Sequence, residues 1–205
     1  MDVNARRLEN RVAIVTGAGQ GVGEGIARRL AQEGATVVVA ARRAETGEPV
    51  VESIRSAGGQ AVCIVTDVSV SESVDACVAS TVQQFGRLDI MVHNAFMGGI
   101  PHKLEKAQIG KHWTSMSRTG VWASIFCARA AMPHLVASSA RPRGEGGGRL
   151  ILITSPSGVE GSANIPLYSP AKAGQRAIAK SLAREWGEFG ITVNCIGPVA
   201  GSPAL

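Results

Sequence analysis

Residues 12–23 read VAIVTGAGQGVG, and this stretch decides the fold. It opens with a short, continuous apolar run, Val12–Val15, which is typical of a strand that is covered on both faces. A glycine-rich turn follows directly, and the next segment, Glu24–Glu33, is rich in Ala, Arg, Glu and Gln, as helices are. A strand, a glycine-rich turn and a helix in this order predict the first unit of a parallel α/β sheet.

The rest of the chain repeats this alternation. Nearly continuous apolar runs predict six strands: Val12–Val15, Thr36–Ala40, Ala61–Val65, Leu88–Val92, Leu150–Thr154 and Ile191–Ile196. Five segments between them predict helices: Glu24–Glu33, Ala44–Ala57, Val70–Phe85, Thr119–Ala137 and Ser169–Phe189. Glycines suited to end a helix follow several of them: Gly34, Gly58, Gly86 and Gly190. The pattern predicts right-handed crossovers and a Rossmann-like, doubly wound parallel sheet with helices on both faces, in a single domain over residues 1–205.

The composition narrows the classes of protein and partner. The 205 residues are 45% hydrophobic and 18% charged, which is ordinary for a globular domain and excludes disorder for the chain as a whole. A net charge of +5 allows an anionic partner. Only 4% of the residues are aromatic, and none interleave with a basic stretch, so a nucleic-acid partner is not expected. The phosphates of a nucleotide explain the charge more simply.

The cysteines and the apolar runs indicate the cellular environment in which the protein is expected. The four cysteines, none spaced as C-x-x-C, are predicted to be buried, reduced thiols rather than disulfides or metal ligands: Cys63, Cys77, Cys127 and Cys195. No apolar run approaches transmembrane length, and the first residues lack the apolar core of a signal peptide. We therefore expect a cytoplasmic protein with no membrane partner and no metal.

The glycine-rich turn is a candidate dinucleotide site. Glycines allow a tight turn and close approach of the main chain to a pyrophosphate, and the following helix offers free N–H groups and a positive dipole end. The alternative is a purely structural turn, which the position between a strand and an Ala-rich helix makes less favoured. The candidate cofactor-binding residues of the turn are Gly17, Gly19, Gln20, Gly21, Val22 and Gly23.

The ends of the second and third strands bear on cofactor preference. In dinucleotide folds an acid after the second strand binds the adenosine ribose, whereas an arginine faces a 2′-phosphate. Arg42 and Arg43 stand there, which favours NADP(H) and leaves NAD(H) open, with Arg42 as the first choice and Arg43 open to a surface role. Asp67, beside Val68 after the third strand, either caps the next helix or meets the adenine amino group.

Tyr168, Lys172 and Ser155 form a candidate catalytic set. The single tyrosine, Tyr168, and Lys172 are four residues apart, so a helix presents both on one face. An ammonium near a phenol lowers the phenol's pKa from about 10, which makes a proton donor and acceptor usable near neutral pH. Ser155 follows the fifth strand, where its hydroxyl can hydrogen-bond a substrate oxygen. The alternative for the pair alone is an exposed helical pair.

Taken in order, these residues resemble the short-chain dehydrogenase/reductase family from Asn10 to about Pro198. The matching marks are Thr16-Gly17-x-x-x-Gly21-x-Gly23, Asp67, His93-Asn94-Ala95, Ser155, Tyr168-x-x-x-Lys172 and Asn194-Cys195-Ile196-Gly197-Pro198. The resemblance implies hydride transfer between a nicotinamide cofactor and a small carbonyl or alcohol substrate. It implies that Tyr168 protonates the carbonyl oxygen, that Lys172 holds the nicotinamide ribose and lowers the pKa of Tyr168, and that Ser155 orients the substrate. Further cofactor contacts are implied at Asp67, Val68, Asn94, Ala95 and Pro198.

The chain departs from the family pattern at several positions. Ser117 stands where the family often has an asparagine that completes a proton relay, so Ser117 is a candidate catalytic residue of shorter reach. Phe96 and Val199 each replace a glycine near the cofactor, and His93 is interpreted as a structural histidine. The sequence stops at Leu205, before the loop, helix and strand that complete family members and build their dimers or tetramers. We expect either a longer natural chain or a shortened form.

Three functions are consistent with these residues. The leading hypothesis is an NADP(H)-dependent carbonyl reductase or alcohol dehydrogenase. The alternative is a nucleotide-binding scaffold or regulatory protein with little catalysis, and a sugar-nucleotide epimerase or dehydratase is disfavoured because no length remains for a substrate domain. Apolar residues predicted near the pocket suggest an apolar carbonyl compound: Phe96, Met97, Ile100, Val159 and Leu167.

Overall fold

Six parallel strands form one sheet in the computed structural model, which describes residues 6–97, 103–141 and 147–199. In chain order, β1 to β6 are Val12–Thr16, Thr36–Ala41, Gln60–Val65, Ile90–His93, Arg149–Ile153 and Thr192–Ile196. They lie in the order β3-β2-β1-β4-β5-β6, and every pairing is parallel. The strand order reverses between β1 and β4, and open α/β sheets bind their ligands at such a point, outside the carboxyl ends of the strands.

The helices connect these strands as crossovers. In chain order, α1 to α7 are Gly21–Gln32, Ala44–Ser56, Ser71–Phe85, Ile109–Met116, Ala123–Ser139, Ser157–Glu160 and Tyr168–Glu185. A π-helical segment, Ser117–Trp122, joins α4 to α5, and short 3₁₀ turns lie at Leu104–Lys106 and Trp186–Phe189. The four glycines predicted to end helices all have positive φ, as such positions require: Gly34, Gly58, Gly86 and Gly190.

Both faces of the sheet are covered, as the continuous apolar strands predicted. Ala13 and Val15 of β1 point to the core formed with α1 and α2, whereas Ile14 points to the core formed with α3, α5 and α7. All three side chains are fully buried. A fully buried valine or isoleucine side chain contributes about 1.5–3 kcal/mol of transfer free energy, so these layers hold the sheet and fix its carboxyl edge.

The prediction of a helix that begins at Thr119 is wrong. The helical segment begins ten residues earlier, at Ile109, and passes through the π-helical turn before α5. The polar Thr119 is accommodated because its hydroxyl donates to the Ser115 carbonyl (2.8 Å) and accepts the Met97 N–H (2.8 Å). A π-helical turn inside a helix is uncommon and is frequent at functional sites.

Asp89 joins β1 and β4 at the opposite, amino edge of the sheet. Its buried carboxylate accepts the Val12 N–H (2.8 Å) and the Ser138 hydroxyl (2.5 Å), and it pairs with Arg87 (2.6 Å). The Asp89 N–H in turn donates to the Val12 carbonyl (2.9 Å).

No helix within the described residues is long and apolar enough to cross a membrane.

Candidate active site

The glycine-rich turn lies at the carboxyl end of β1, against the chain that leaves β4. Gly17 has a φ of +66°, and a Cβ there would lie 2.7 Å from the Ala95 Cα, so only glycine fits. A Cβ at Gly23 would collide with the Asn94 side-chain amide and the Gly17 carbonyl, and one at Gly19 would lie 2.8 Å from the Thr46 hydroxyl. These glycines therefore let the turn close against the protein itself.

Helix α1 begins at this turn with an uncapped amino end. Its N-cap residue, Gln20, makes no side-chain capping hydrogen bond. The first N–H groups of a helix have no partner within the helix, and together with the dipole they attract an anion. The main chain of Gly21, Val22 and Gly23 thus offers donors at the carboxyl edge of the sheet. Their use for a pyrophosphate stays a prediction.

Asn94 ties the end of β4 to the glycine-rich turn. Its side-chain amide donates to the carbonyls of Thr16 (3.1 Å) and Gly17 (3.2 Å). The Thr16 hydroxyl oxygen accepts the N–H groups of Asn94 (3.1 Å) and Ala95 (3.2 Å). Residues 94–95 therefore brace the turn through main-chain and amide contacts.

His93 is a fully buried part of the same network. The Thr16 hydroxyl already accepts two N–H groups, so its own hydrogen points to the His93 Nδ1 (3.1 Å). The Nε2 then carries the ring hydrogen and donates it to the Thr119 carbonyl (3.1 Å). Burial and the nearby Lys172 charge lower the pKa of His93 to about 4, so the imidazole is neutral at pH 7. This environment is that of the structural histidine which the sequence predicted.

Arg42 follows β2 and reaches over the carboxyl end of β1 into the cleft, the space between the segments that follow β2 and β4. Its Nη1 donates to the Met97 sulfur (2.9 Å), a weak acceptor on the segment that follows β4. Arg43 is the N-cap residue of α2, and its carbonyl accepts the Thr46 hydroxyl (2.9 Å). Both guanidinium groups belong to exposed residues, and Arg42 is the one that faces the cleft between β2 and β4.

Asp67 is engaged by its own loop. Its carboxylate accepts the N–H (2.9 Å) and the hydroxyl (2.7 Å) of Ser69, and its N–H donates to the Ser73 hydroxyl (3.0 Å). The N-cap residue of α3 is Val70, so Asp67 shapes the entrance to the helix without capping it. The Val68 side chain is buried in the core, which leaves its main chain as the part that a ligand could meet.

Lys172 is the most buried residue of the candidate catalytic set. It is 3% exposed, and its Nζ donates to the Ile153 carbonyl at the end of β5 (3.0 Å). The same Nζ lies 3.9 Å from the centre of the Phe96 ring and 5.7 Å from that of Tyr168. Burial lowers the pKa of Lys172 to about 7.

Ser155 and Tyr168 both precede this lysine in the chain. Tyr168 is the first residue of α7, one turn before Lys172, and its ring meets the Phe96 ring edge to face at 5.3 Å. The Ser155 hydroxyl accepts the Ser157 N–H (3.2 Å) in the turn that opens α6. Helix α6 lies directly on α7, since a Cβ at Gly158 would lie 2.7 Å from the Lys172 carbonyl carbon.

The remaining predicted site residues, Ser117 and Pro198, lie in the π-helical segment and after β6. The Ser117 hydroxyl donates to the Thr114 carbonyl one turn earlier (3.2 Å), so its hydrogen is used within the helix. Pro198 follows β6 beside the Ser155 turn, because the preceding Gly197 lies against the Pro156 ring. Val199 is 88% exposed.

A small, mostly apolar cavity adjoins Tyr168. Its lining residues are Ala107, His112, Met116, Ile165, Pro166, Leu167 and Tyr168. Of the predicted pocket residues, Leu167 lines it, Val159 is exposed, and Ile100 lies outside the described residues. Apart from Tyr168, sequence reasoning missed the other lining residues, which come from two distant segments that no local pattern connects. A second, more open cavity beside Met97 and Ser69 includes the cations Lys111 and Arg118.

Comparison with known proteins gives concordant matches. The family model described as short chain dehydrogenase matches residues 11–202. The chain is 34% identical over 193 residues to the (2S)-[(R)-hydroxy(phenyl)methyl]succinyl-CoA dehydrogenase subunit BbsD of Thauera aromatica, covering 93% of this chain and 73% of that protein. It is 34% identical over 201 residues to the cis-4-hydroxycyclohexanecarboxylate dehydrogenase of Sinomonas cyclohexanicum, covering 95% and 77%.

A solved structure extends the match to three dimensions. A metagenomic short-chain oxidoreductase crystallised in complex with NADP superposes with a TM-score of 0.84 at 30% identity. The match covers 95% of this chain and 85% of that one.

Proposed function

Because the chain belongs to the short-chain dehydrogenase family, we propose that it is an NADP(H)-preferring oxidoreductase that moves a hydride between the cofactor and a carbonyl or alcohol group. One observation carries this proposal. Tyr168 and Lys172 lie on successive turns of α7, and Lys172 is bonded to the end of β5, two residues before Ser155. A phenol, a buried ammonium and a serine hydroxyl at one strand end suit proton transfer to a substrate oxygen.

The residues around β1 suit a dinucleotide. The uncapped amino end of α1 supplies main-chain donors for the pyrophosphate, and Arg42 supplies a guanidinium for a 2′-phosphate. The Lys172 ammonium would hold the ribose of the nicotinamide half. When bound, the nicotinamide supplies or accepts the hydride.

The chain's own groups supply the proton chemistry in this proposal. In reduction, the Tyr168 hydroxyl gives its proton to the carbonyl oxygen, and in oxidation the Tyr168 oxygen takes the proton back. The Ser155 hydroxyl donates a hydrogen bond to the same substrate oxygen, where negative charge develops. The predicted relay role of Ser117 stays a prediction, and it requires the hydroxyl to leave the Thr114 carbonyl.

We propose a ring-bearing carbonyl or secondary alcohol as the substrate class. The side chains around Tyr168 are largely apolar, which suits an apolar body better than a charged one, and the small cavity among them must widen to admit a ring. The names of the two relatives support the same class, since one contains a phenyl group and the other a cyclohexane ring.

The test is a titration followed by a turnover assay. NADPH and NADH are titrated into the chain by fluorescence, and oxidation of the bound reduced cofactor is then followed with cyclic and phenyl ketones. Short aliphatic aldehydes serve as the matched comparison. The proposal predicts tighter binding of NADPH and faster turnover of the ring-bearing ketones. Binding without turnover on any of these carbonyls would instead support a nucleotide-binding scaffold.

A further inference from the structure

Phe96 covers the ammonium of Lys172. The ring belongs to a half-buried residue three positions after β4, and its centre lies 3.9 Å from the Lys172 Nζ. This distance is well within the range of a cation–π contact. The same ring meets Tyr168 edge to face, with an angle of 81° between the ring planes. Phe96 therefore touches both residues of the proposed catalytic pair.

A ligand cannot reach the Lys172 ammonium while these contacts stand. Lys172 is 3% exposed, and its Nζ is bonded to the Ile153 carbonyl on one side and covered by the Phe96 ring on another. The Ile153 carbonyl belongs to the main chain of β5, whose register with β6 is fixed at Ile196. Phe96 lies beyond the last residue of β4, so its ring is free of the sheet ladder. Of the two groups, the ring is the one that can withdraw.

We propose that Phe96 occupies the ribose-binding face of Lys172 in the free protein and withdraws when a dinucleotide binds, so that this ring sets the affinity for the nicotinamide half. The inference rests on the proposed function, because it assigns Lys172 to the cofactor ribose. The exchange replaces a ring face with hydroxyl groups on the same ammonium. The contact with the Ile153 carbonyl is kept throughout.

Gly120 leaves the space in which the Phe96 ring lies. A Cβ at Gly120 would lie 2.7 Å from the Phe96 Cε2 and 3.1 Å from the Cδ2, closer than a side chain tolerates. The third nearest atom, the Gln175 Cδ, is 3.8 Å away, at ordinary contact distance. Substituting Gly120 by alanine therefore displaces the ring without removing it. This gives a second way to uncover Lys172.

The experiment compares full and half ligands. NADPH is titrated against the native chain and against Phe96→Ala, and adenosine 2′,5′-bisphosphate and ADP, which lack the nicotinamide ribose, are titrated in parallel. We expect NADPH to bind Phe96→Ala about 2- to 30-fold more tightly, the range that loss of a competing cation–π contact gives. The two half ligands should bind both chains equally. Phe189→Ala removes a 38%-exposed ring from the 3₁₀ turn after α7 and should change neither affinity.

The outcomes separate this inference from the proposed function. Unchanged or weaker NADPH binding in Phe96→Ala would overturn the inference and assign the ring to the bound state or to packing. An equal gain for full and half ligands would also overturn it, since the whole cleft would then have loosened. If the native chain binds none of the three ligands, the proposed function itself fails. Should Phe96→Ala unfold, Gly120→Ala keeps the ring and must show the same selective gain for NADPH.

Discussion

Around Gly17 the cleft is made of main-chain atoms, whereas around Lys172 it is made of side chains that cover one another. At the Gly17 end the Asn94 amide and the Thr16 hydroxyl brace the turn, and the uncapped start of α1 presents the main-chain donors. The Lys172 end is held by one carbonyl and two aromatic rings. Both ends lie at the carboxyl edge of the same parallel sheet.

The two ends differ in how much they must rearrange when a ligand binds. Main-chain donors braced by neighbouring strands are preorganised, so little rearrangement accompanies binding there. A buried ammonium under an aromatic ring must exchange partners, and the ring's withdrawal reduces the apparent affinity. The first end is therefore expected to resist change and the second to be tunable by single substitutions.

The largest effect is expected at the side-chain end, from Tyr168→Phe. This change removes one hydroxyl and keeps the ring that meets Phe96, so cofactor binding should stay nearly intact. Turnover should fall about 10²- to 10⁴-fold, the usual contribution of a positioned acid–base group. Steady-state rates and NADPH titrations on the same preparation check the split. Equal losses of binding and turnover would assign Tyr168 to packing.

Lys172→Met tests what the covered ammonium does to stability. The pKa of Lys172 is lowered from 10.5 to about 7 in the folded chain, so the unfolded chain binds more protons between these values. The burial penalty is then fully present below about pH 7, falls as pH rises, and disappears above about pH 10.5. We expect Lys172→Met to be more stable at pH 7 by about 1–4 kcal/mol, since each pKa unit corresponds to about 1.4 kcal/mol and the lost contacts offset part.

Urea unfolding between pH 6 and pH 10 measures this difference. The gap between Lys172→Met and the native chain should narrow steadily toward the alkaline end. A gap that is independent of pH would show that apolar packing, rather than the buried charge, sets the stability difference.

Arg42→Ala probes the cofactor preference at the main-chain end. Loss of a charge-assisted contact of about 1.5–3 kcal/mol should weaken NADPH binding about 10- to 150-fold and leave NADH binding unchanged. The matched control is Arg43→Ala, which removes the neighbouring guanidinium but keeps the carbonyl that bonds Thr46. If Arg43→Ala changes the NADPH to NADH ratio more than Arg42→Ala, the assignment of Arg42 is wrong.

The smallest effect is expected on the free energy of unfolding, from substitutions at two glycines that are eight residues apart. Gly17→Ala places a Cβ against Ala95 in a left-handed conformation and should lower the free energy of unfolding by about 1–3 kcal/mol. Gly25→Ala, in the middle of α1 with no atom near its Cβ, should raise it by about 0.5–1 kcal/mol. Thermal unfolding of both variants checks the signs. Equal shifts would contradict the close packing of the turn against residue 95.

Local patterns were enough to predict most of the fold. The apolar runs lie within two residues of the six strands at either end, and the glycines after the helices fall where the chain turns. The start of the α4–α5 segment was missed because Ser117 and Gly120 are typical of a helix boundary in isolation. In the folded chain, His93 and Met97 contact Thr119, and these contacts support a helix that continues through residues 117–120.

The candidate site was predictable in its residue types and not in its contacts. The sequence singled out Phe96 as a departure, but Phe96 and Lys172 are 76 residues apart, and only the pairing of β4 with β5 brings them together. Of the two alternatives for Asp67, the helix cap is wrong, because its carboxylate accepts the Ser69 N–H and hydroxyl and Val70 is the N-cap residue. The contact with the adenine stays a prediction. The predicted relay residue Ser117 has a hydroxyl that bonds within its helix, which an aligned position does not reveal.

The position of β1 between β2 and β4 has a consequence for synthesis of the chain. β2 can pair with β1 soon after β2 emerges from the ribosome. The other edge of β1 stays unpaired until β4 is made, because Ile90, the first residue of β4, is 77 positions after its partner Ala13. Until then a nascent β1–β3 half-sheet presents an apolar, unpaired edge. Nascent chains that stop before residue 90 should therefore depend on chaperones more strongly than those that have released β4.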